Sequence, residues 1–228
     1  MKRSEINTIL REAEGFLAKN RFMLPDWASW SVEQWQENRD RTGYIRERML
    51  GWDITDFGSG KFEERGLFLF CLRNGKIGMD KKPYAEKIMI VGEGQETPFH
   101  FHWYKMEDII NRGGGNLVVE FYNADENEEF ADTPVSVLID GIGHVVEPGG
   151  KIVLHPGQSV CMTQRLYHRF YGEPGHGTVL VGEVSQCNDD TSDNRFHETV
   201  GRFPEVEEDE TPYRLLCSEY DRFAGEES

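Results

Sequence analysis

The chain has 228 residues, of which 38% are hydrophobic and 12% aromatic, so it can bury a core and differs from a disordered protein. Its 25 Lys and Arg against 41 Asp and Glu give a formal net charge of -16. This charge argues against nucleic acid or an anionic membrane as the main partner, and it is compatible with a neutral small-molecule substrate.

The cysteines and the N-terminal residues bear on location. The chain has four widely spaced cysteines and no CxxC pair, which predicts reduced thiols and a cytoplasmic protein. The opening residues, MKRSEINTILREAEGF, lack the uninterrupted apolar stretch of a signal peptide. No segment approaches the roughly 18 apolar residues that a membrane helix requires. We therefore expect no membrane partner.

Residues 1–65 predict a helical N-terminal extension. Apolar residues recur at helical spacing in SEINTILREAEGFLAK, with Ser4 as the expected N-cap. A second short helix is indicated by SVEQWQENRD, where Ser31 and Gln34 form a capping-box pattern. Pro25 separates the two helices.

Residues 66–200 predict an all-β core. Short apolar or alternating runs such as LFLFCL, KIMIV, NLVVEFY and TVLVGEV recur there, separated by Gly, Pro, Asn and Asp. Many short strands with turn signals are typical of an antiparallel sandwich or barrel. The segment 201–228 is acidic. It reads as a solvated tail, although YRLLCSEY has enough apolar residues to dock on the domain or on a second subunit. We expect all three parts to form one domain.

The stretch TPFHFHWYKMEDIINRGGGN predicts a metal site. In a strand, His100 and His102 point to the same face, about 6–7 Å apart along the chain. Glu107 follows a predicted turn and could return a carboxylate to the same point from the neighbouring strand. Nitrogen and oxygen ligands together suit Mn, Fe, Co, Ni or Zn. An HxH pair also occurs by chance on exposed strands, but the Glu and the RGGG turn favour ligation.

A further ligand is expected from a later strand. His168 follows a Pro-Gly turn and a strand, in an aromatic setting. By contrast, His155 precedes a proline, and His176 lies in a predicted surface loop. The pattern favours His168 over the other later histidines, which are His144, His155, His176 and His197.

These residues resemble the cupin superfamily. Its first motif is an HxH pair followed by a Glu and then a Gly, which here are His100, His102, Glu107 and Gly114. Its second motif supplies one more histidine, here His168, although QRL replaces the PxG that usually precedes it. The resemblance implies a cupin double-stranded β-helix, a jelly-roll barrel, with the metal held inside by the three histidines and the glutamate.

Longer stretches of the sequence narrow the resemblance to one family. The segments PYAEKIMIVGEGQETPFHFHWYKMEDIINRGGGNLVVEFYNA and GEVSQCNDDTSDNRF resemble D-lyxose ketol-isomerases, and the likeness extends to the helical N-terminus. The resemblance implies an aldose–ketose isomerase that interconverts D-lyxose and D-xylulose. It also implies activity on D-mannose and D-fructose, and a preference for Mn²⁺.

The implied reaction moves a proton between C1 and C2 of the sugar, and a divalent metal can stabilise the enediolate as a Lewis acid. A base is also needed. Glu183 lies among apolar residues in TVLVGEV, where burial would raise its pKa toward the useful range. Lys105 could donate to a sugar oxygen or carry the second proton. A satisfied strand-end carboxylate and a solvent-facing turn lysine are the alternatives. A metal-assisted hydride shift would need no base at these carbons.

Two further stretches suggest contacts with the sugar. The loop NDDTSDNRF could bind several hydroxyls, with Asp190 and Arg195 as the expected participants, or it could be an ordinary Asx-rich turn. Its spacing lacks the EF-hand pattern of a calcium loop. Of the adjacent Glu86 and Lys87, only one can point inward from a strand, and Lys87 is our prediction. No cluster of Arg and Lys suggests a sugar phosphate.

Two other functions compete with isomerisation, because one fold hosts many activities. One is a metal-dependent dioxygenase on the same cupin frame, and the other is a non-catalytic sugar-binding cupin. For the oligomeric state, we expect a homodimer, because sandwich-type barrels often pair through an edge strand.

Overall fold

The computed structural model describes residues 1–187, 189, 192–201 and 203–223. Most helical segments of this part lie before the first strand. The α-helices are α1 (Arg3–Lys19), α2 (Val32–Glu37), α3 (Gly43–Glu47) and α4 (Tyr220–Phe223), and two 3₁₀ helices span Asp26–Ser29 and Arg39–Arg41. Within the described ranges, no helix is both long and apolar enough to cross a membrane.

The strands begin at the end of the N-terminal region and dominate the rest of the chain. They are β1 (Gly51–Thr55), β2 (Leu67–Arg73), β3 (Tyr84–Val91), β4 (Thr97–Phe101), β5 (Glu107–Gly114), β6 (Leu117–Ala124), β7 (Phe130–Ala131), β8 (Val135–Ile139), β9 (Ile142–Val146), β10 (Gly150–Leu154), β11 (Ser159–Met162), β12 (Leu166–Gly172), β13 (Val179–Gln186) and β14 (Arg195–Phe196).

Two antiparallel sheets curl around one apolar core. The larger sheet has the order β1-β2-β3-β13-β5-β11-β8-β9, and the smaller has the order β10-β6-β12-β4-β14, with β7 added beside β6. Leu69, Met89 and Val181 of the larger sheet pack in the same core as Val119 and Phe121 of the smaller one. This arrangement confirms the all-β core and the cupin double-stranded β-helix.

Helix α1 covers the outer face of the larger sheet. Its side chains at positions 6, 10, 13 and 17 are buried because this spacing places them on one helix face. They join a second apolar cluster with Phe68, Phe70 and Leu180 of the sheet. Burial of each large apolar side chain contributes roughly 1.5–3 kcal/mol. The helical N-terminal extension is therefore confirmed, and through β1 it also adds a strand to the sheet.

One predicted cap is confirmed and the other is wrong. Ser31 accepts the backbone N–H of Gln34, whose side chain accepts the N–H of Ser31 in return. However, α1 begins at Arg3, so Ser4 lies inside its first turn. The hydroxyl of Ser4 donates to Asp209 instead, at 2.7 Å. A contact with the distant C-terminal segment thus replaces the local cap.

The acidic C-terminal segment docks on the domain. Leu215 and Leu216 are buried, and the backbone of Leu216 bridges to Trp52 of β1. The Tyr220 hydroxyl donates to the carbonyl of Leu50 at 2.7 Å. Of the two alternatives, the described part of this segment therefore docks on the domain through YRLLCSEY and is not a solvated tail.

Candidate metal centre and active site

Three histidines and one glutamate converge inside the barrel. His100 lies on β4 directly opposite His168 on β12, His102 follows the end of β4, and Glu107 is the first residue of β5. Their candidate ligand atoms all lie within 4.8 Å of one another, and all four residues are buried. Because β4 and β5 belong to different sheets, Glu107 faces the histidines across the barrel. Our expectation that it comes from a neighbouring strand was wrong.

The backbone orients each imidazole in the same way. Nδ1 of His100 lies 2.9 Å from the carbonyl of Pro98, and Nδ1 of His168 lies 2.9 Å from the carbonyl of Leu166. Nδ1 of His102 lies 2.9 Å from the carbonyl of Asp193. Since a carbonyl can only accept, each Nδ1 carries the proton and each Nε2 offers a lone pair. This is how a protein prepares histidines for a metal.

The donor set fits a divalent cation. Within the described residues, Nε2 of His102 and Nε2 of His168 are buried without a hydrogen-bond partner. They lie 3.4 and 3.1 Å from Oε1 of Glu107, although neither contact has hydrogen-bond geometry. Buried polar atoms rarely stay unpaired in a native protein. A cation of the Mn to Zn series would satisfy these nitrogens and the carboxylate together.

Protonation in the site also favours ligation. Burial, together with the neighbouring His168 and His102, lowers the pKa of His100 well below its ordinary value. Burial alone would oppose ionisation of Glu107, but Lys105 and His102 hold the pKa of Glu107 well below its ordinary value. A neutral imidazole and an ionised carboxylate are the forms that bind metals.

Two lysines hold a second glutamate beside the metal ligands. Glu183 of β13 lies directly opposite Lys87 of β3, and Nζ of Lys87 is 3.3 Å from its Oε1. Nζ of Lys105 lies 3.1 Å from the same oxygen and 2.6 Å from Oε2 of Glu107. Ser185 donates to Oε1 at 3.0 Å. These contacts fix one oxygen of the Glu183 carboxylate in place beside the metal ligands.

Asp193 links the loop after β13 to the metal ligands. Its carboxylate accepts the backbone N–H groups of Tyr104 and Lys105 at 2.9 and 3.0 Å. Its carbonyl accepts from His102, so the same residue positions one expected ligand and the backbone of the lysine beside Glu183.

A small cavity is bordered by Glu183, by both lysines and by three of the metal ligands, which are His100, His102 and Glu107. Its volume is about 40 Å³, and Thr97, Phe57 and Phe196 belong to its wall along with the residues described above. A second cavity of about 330 Å³ lies next to it, and the two share Leu69 and Lys87 in their walls. Lys87 therefore stands between the two spaces.

A model of the D-lyxose isomerase family matches residues 1–220. The chain belongs to the D-lyxose isomerase family. It is thus an enzyme, an aldose–ketose isomerase. The D-lyxose/D-mannose isomerase of Serratia proteamaculans is 49% identical and covers 98% of this chain and 99% of its own. The enzyme of the same name from Escherichia coli O157:H7 is 49% identical, over 98% and 100% of the two chains.

Solved structures with the same fold belong to other members of the isomerase class. The L-ribose isomerase of Acinetobacter sp. DL28, in complex with L-ribose, aligns with a TM-score of 0.60 at 14% identity, over 91% of this chain and 98% of that one. The L-ribose isomerase of Cellulomonas parahominis aligns with a TM-score of 0.57 at 17% identity, over 91% and 98%. At these identities the likeness shows the cupin-like fold.

The predicted sugar-binding residues divide into three cases. Lys87 points into the barrel, while Glu86 contacts Arg73. Arg195 does not border the small cavity. Its Nε lies 3.1 Å from Glu128, because Arg195 pairs with Phe101 on β4 and therefore faces away from the metal ligands. Asp190 lies outside the described residues.

Sequence reasoning missed several residues of the cavity wall. Phe196 is the neighbour of Arg195 and lies opposite His100, so a strand assignment of RF would have placed it inward. Phe57 and Thr97 carry no local signal, because only the barrel brings them to the site.

Proposed function

We propose that this protein interconverts D-lyxose with D-xylulose and D-mannose with D-fructose. The observation that carries the proposal is Glu183, a buried carboxylate held by Lys87 and Lys105 in a cavity wall that also includes candidate metal ligands. The names of the two curated relatives support both sugar pairs.

His100, His102, Glu107 and His168 would hold Mn²⁺, and their nitrogen and oxygen donors support this choice. A divalent cation, when bound there, would act as a Lewis acid toward the sugar carbonyl. Glu107 is also fixed by its contact with Lys105, so this side chain couples the metal ligands to the proton-transfer residues.

Glu183 takes the proton from C2 of the open-chain aldose, exchanges it with solvent, and gives a proton to C1. Lys105 gives a proton to O1 as the carbonyl becomes a hydroxyl, and it recovers one from O2 as the new carbonyl forms. The protons balance, and an enediol lies between the two transfers. Lys87 contacts the same oxygen of Glu183 and would hold the carboxylate while binding a hydroxyl of the substrate. A positioned base of this kind contributes roughly 10²–10⁴-fold in rate.

The decisive assay measures ketose formation from D-lyxose, D-mannose and D-ribose with Mn²⁺ and then with chelator. We expect D-xylulose from D-lyxose and D-fructose from D-mannose, with turnover lost on chelation. Saturable binding without ketose would favour a sugar-binding cupin, and oxygen uptake would favour a dioxygenase.

The same reaction in D₂O tests the proton transfer. A base that exchanges with solvent will leave deuterium at C1 of the ketose. Complete retention of protium would support a hydride shift and remove the role of Glu183 as base, while the isomerase activity would stand.

Three further properties belong to this proposal. We place the protein in the cytoplasm, supported by cysteines that are thiols and not disulfides in the described part of the chain. We treat 1–65, 66–200 and 201–228 as parts of one domain. We also propose a homodimer formed through β9, an edge strand with four exposed residues out of five.

A further inference from the structure

Thr97 has a buried hydroxyl at the active site. Thr97 is only 3% exposed, and its Oγ1 has no hydrogen-bond partner among the described residues. Thr97 belongs to the wall of the 40 Å³ cavity, which also includes three of the four metal ligands and Glu183. Among the described residues, Nε2 of His102 in the same wall and Nε2 of the nearby His168 are also buried without a partner, and both point to a ligand.

A β-bulge brings Thr97 to this position. Along β12, His168 and Phe170 are two residues apart and face the same side, but their partners on β4 are His100 and Thr97, which are three apart. In a regular strand, residues three apart point to opposite faces. The extra residue in β4 restores Thr97 to the face of His100. Bulges next to active sites commonly re-aim a side chain in this way.

The hydroxyl is unfavourable for the fold alone. Burying a hydroxyl without a partner lowers stability, and valine would fill almost the same volume without that loss. A ligand that brings its own hydroxyl would remove the penalty. Carbohydrates carry such groups on every carbon, and each can both donate and accept.

We propose that Thr97 is a substrate-binding residue that hydrogen-bonds a sugar hydroxyl beyond the reacting C1 and C2. The two-residue step from His168 to Phe170 offsets Thr97 from His100 by about 6–7 Å along the strand. In the proposed reaction, the oxygens on C1 and C2 lie near the metal ligands and Lys105. A hydroxyl about 6–7 Å further along the strand would therefore reach the oxygen on C3, C4 or C5. The inference rests on the proposed function, whose sugar it helps to orient.

The first test replaces Thr97 by valine and by serine. Thr97→Val removes the hydroxyl and keeps the shape, whereas Thr97→Ser keeps the hydroxyl. We expect Thr97→Val to raise KM for D-lyxose about tenfold, the effect of one lost hydrogen bond, with metal content unchanged and Tm equal to or above that of the wild type. Thr97→Ser keeps KM within about threefold of the wild type. If Thr97→Val does not fold, Thr97→Ala carries the same comparison.

The second test uses binding without turnover. D-arabinitol, the alcohol obtained by reducing D-lyxose, is titrated into the Mn²⁺-loaded wild type and into Thr97→Val by calorimetry. We expect Kd to rise about tenfold in the variant. Unchanged Kd and unchanged KM would overturn the role of Thr97, and wild-type turnover would leave the isomerase proposal intact.

Analogues of D-lyxose that lack the hydroxyl at C3, C4 or C5 identify the contact. In the wild type, we expect one of them to lose about tenfold in kcat/KM through this contact. We expect no such loss in Thr97→Val, because valine has no hydroxyl that the analogue could leave unpaired. Equal losses in the two proteins for every analogue would contradict the assignment.

Discussion

At the scale of single residues, Glu183 makes several contacts that bear on the chemistry. Two ammonium groups and the hydroxyl of Ser185 meet one of its carboxylate oxygens. Removing the negative charge should therefore affect the reaction far more than the fold.

We expect Glu183→Gln to lower kcat by roughly 10²–10⁴-fold, the contribution of a positioned base. The amide keeps the size of the side chain, and none of the four metal ligands changes, so metal content measured after Mn²⁺ loading will match the wild type. Glu86→Gln on the neighbouring strand is the matched control, since Glu86 faces Arg73 and not the cavity. Near-wild-type turnover of Glu183→Gln would refute the base assignment.

Cys161 allows a second prediction at this scale. Burial, together with the hydrogen bond to Asp108, raises the pKa of the Cys161 thiol to about 11. Because the thiolate is the reactive form, its alkylation by iodoacetamide should still rise about tenfold per pH unit between pH 8 and pH 10. Peptide mass spectrometry at each pH follows this cysteine separately. A rate that levels off near pH 9 would show an ordinary thiol.

At the scale of elements, one buried ion-pair cluster fastens α1 to the C-terminal segment. Arg3 is fully buried and contacts Glu208 at 2.8 Å and also Glu219. Glu219 in turn accepts the backbone N–H of Leu216 at 3.0 Å. The first helix and the last described segment are thus held by the same charges.

We expect Arg3→Ala to lower the free energy of unfolding by about 3–5 kcal/mol, because it leaves two carboxylates without their buried partner. Chemical denaturation measures the change. Lys19→Ala, at the exposed end of the same helix, should stay within about 0.5 kcal/mol of the wild type.

A single cooperative transition in the wild type is also expected, since the three chain regions are treated as one domain. Separate transitions would contradict that view.

The sequence predicted contacts between residues close together in the chain, but not contacts between distant residues. The capping box at Ser31 and the shared face of His100 and His102 depend on neighbours within a few residues, and the sequence was enough to predict them. The anchoring of His102 by Asp193 spans 91 positions. Spacing cannot show such a contact, because it depends on where the barrel brings the loop after β13. The same applies to Ser4, whose partner is Asp209.

At the scale of the whole molecule, the strand pattern predicted a barrel but not the order of its strands. That order places β4 and β12 in one sheet and β5 and β13 in the other, so the histidines meet Glu107 and Glu183 across the interior. Repeated short strands fix the class of fold, whereas the pairing of strands is decided by packing of the complete chain.

The edge strand β9 carries the prediction about assembly. Val145 is 69% exposed and Ile142 is 66% exposed, next to unpaired backbone groups of the larger sheet. Light scattering is expected to give twice the 26.3 kDa of one chain. Val145→Lys should give a monomer, because a lysine on an edge strand opposes pairing with a second strand. Met23→Lys, at an exposed site near the end of α1, is the control. A dimer that survives Val145→Lys would place the interface elsewhere.

The small volume of the inner cavity has a consequence for the rate at which the sugar is captured. A space of about 40 Å³ holds little more than one water molecule, whereas sites for small molecules usually measure about 300 Å³ or more. An open-chain sugar is larger than this space, so we expect part of the wall, which includes Phe57 and Phe196, to shift as the sugar binds. Capture would then depend on that motion, and we expect kcat/KM to fall well short of the diffusional ceiling of about 10⁸–10⁹ M⁻¹s⁻¹.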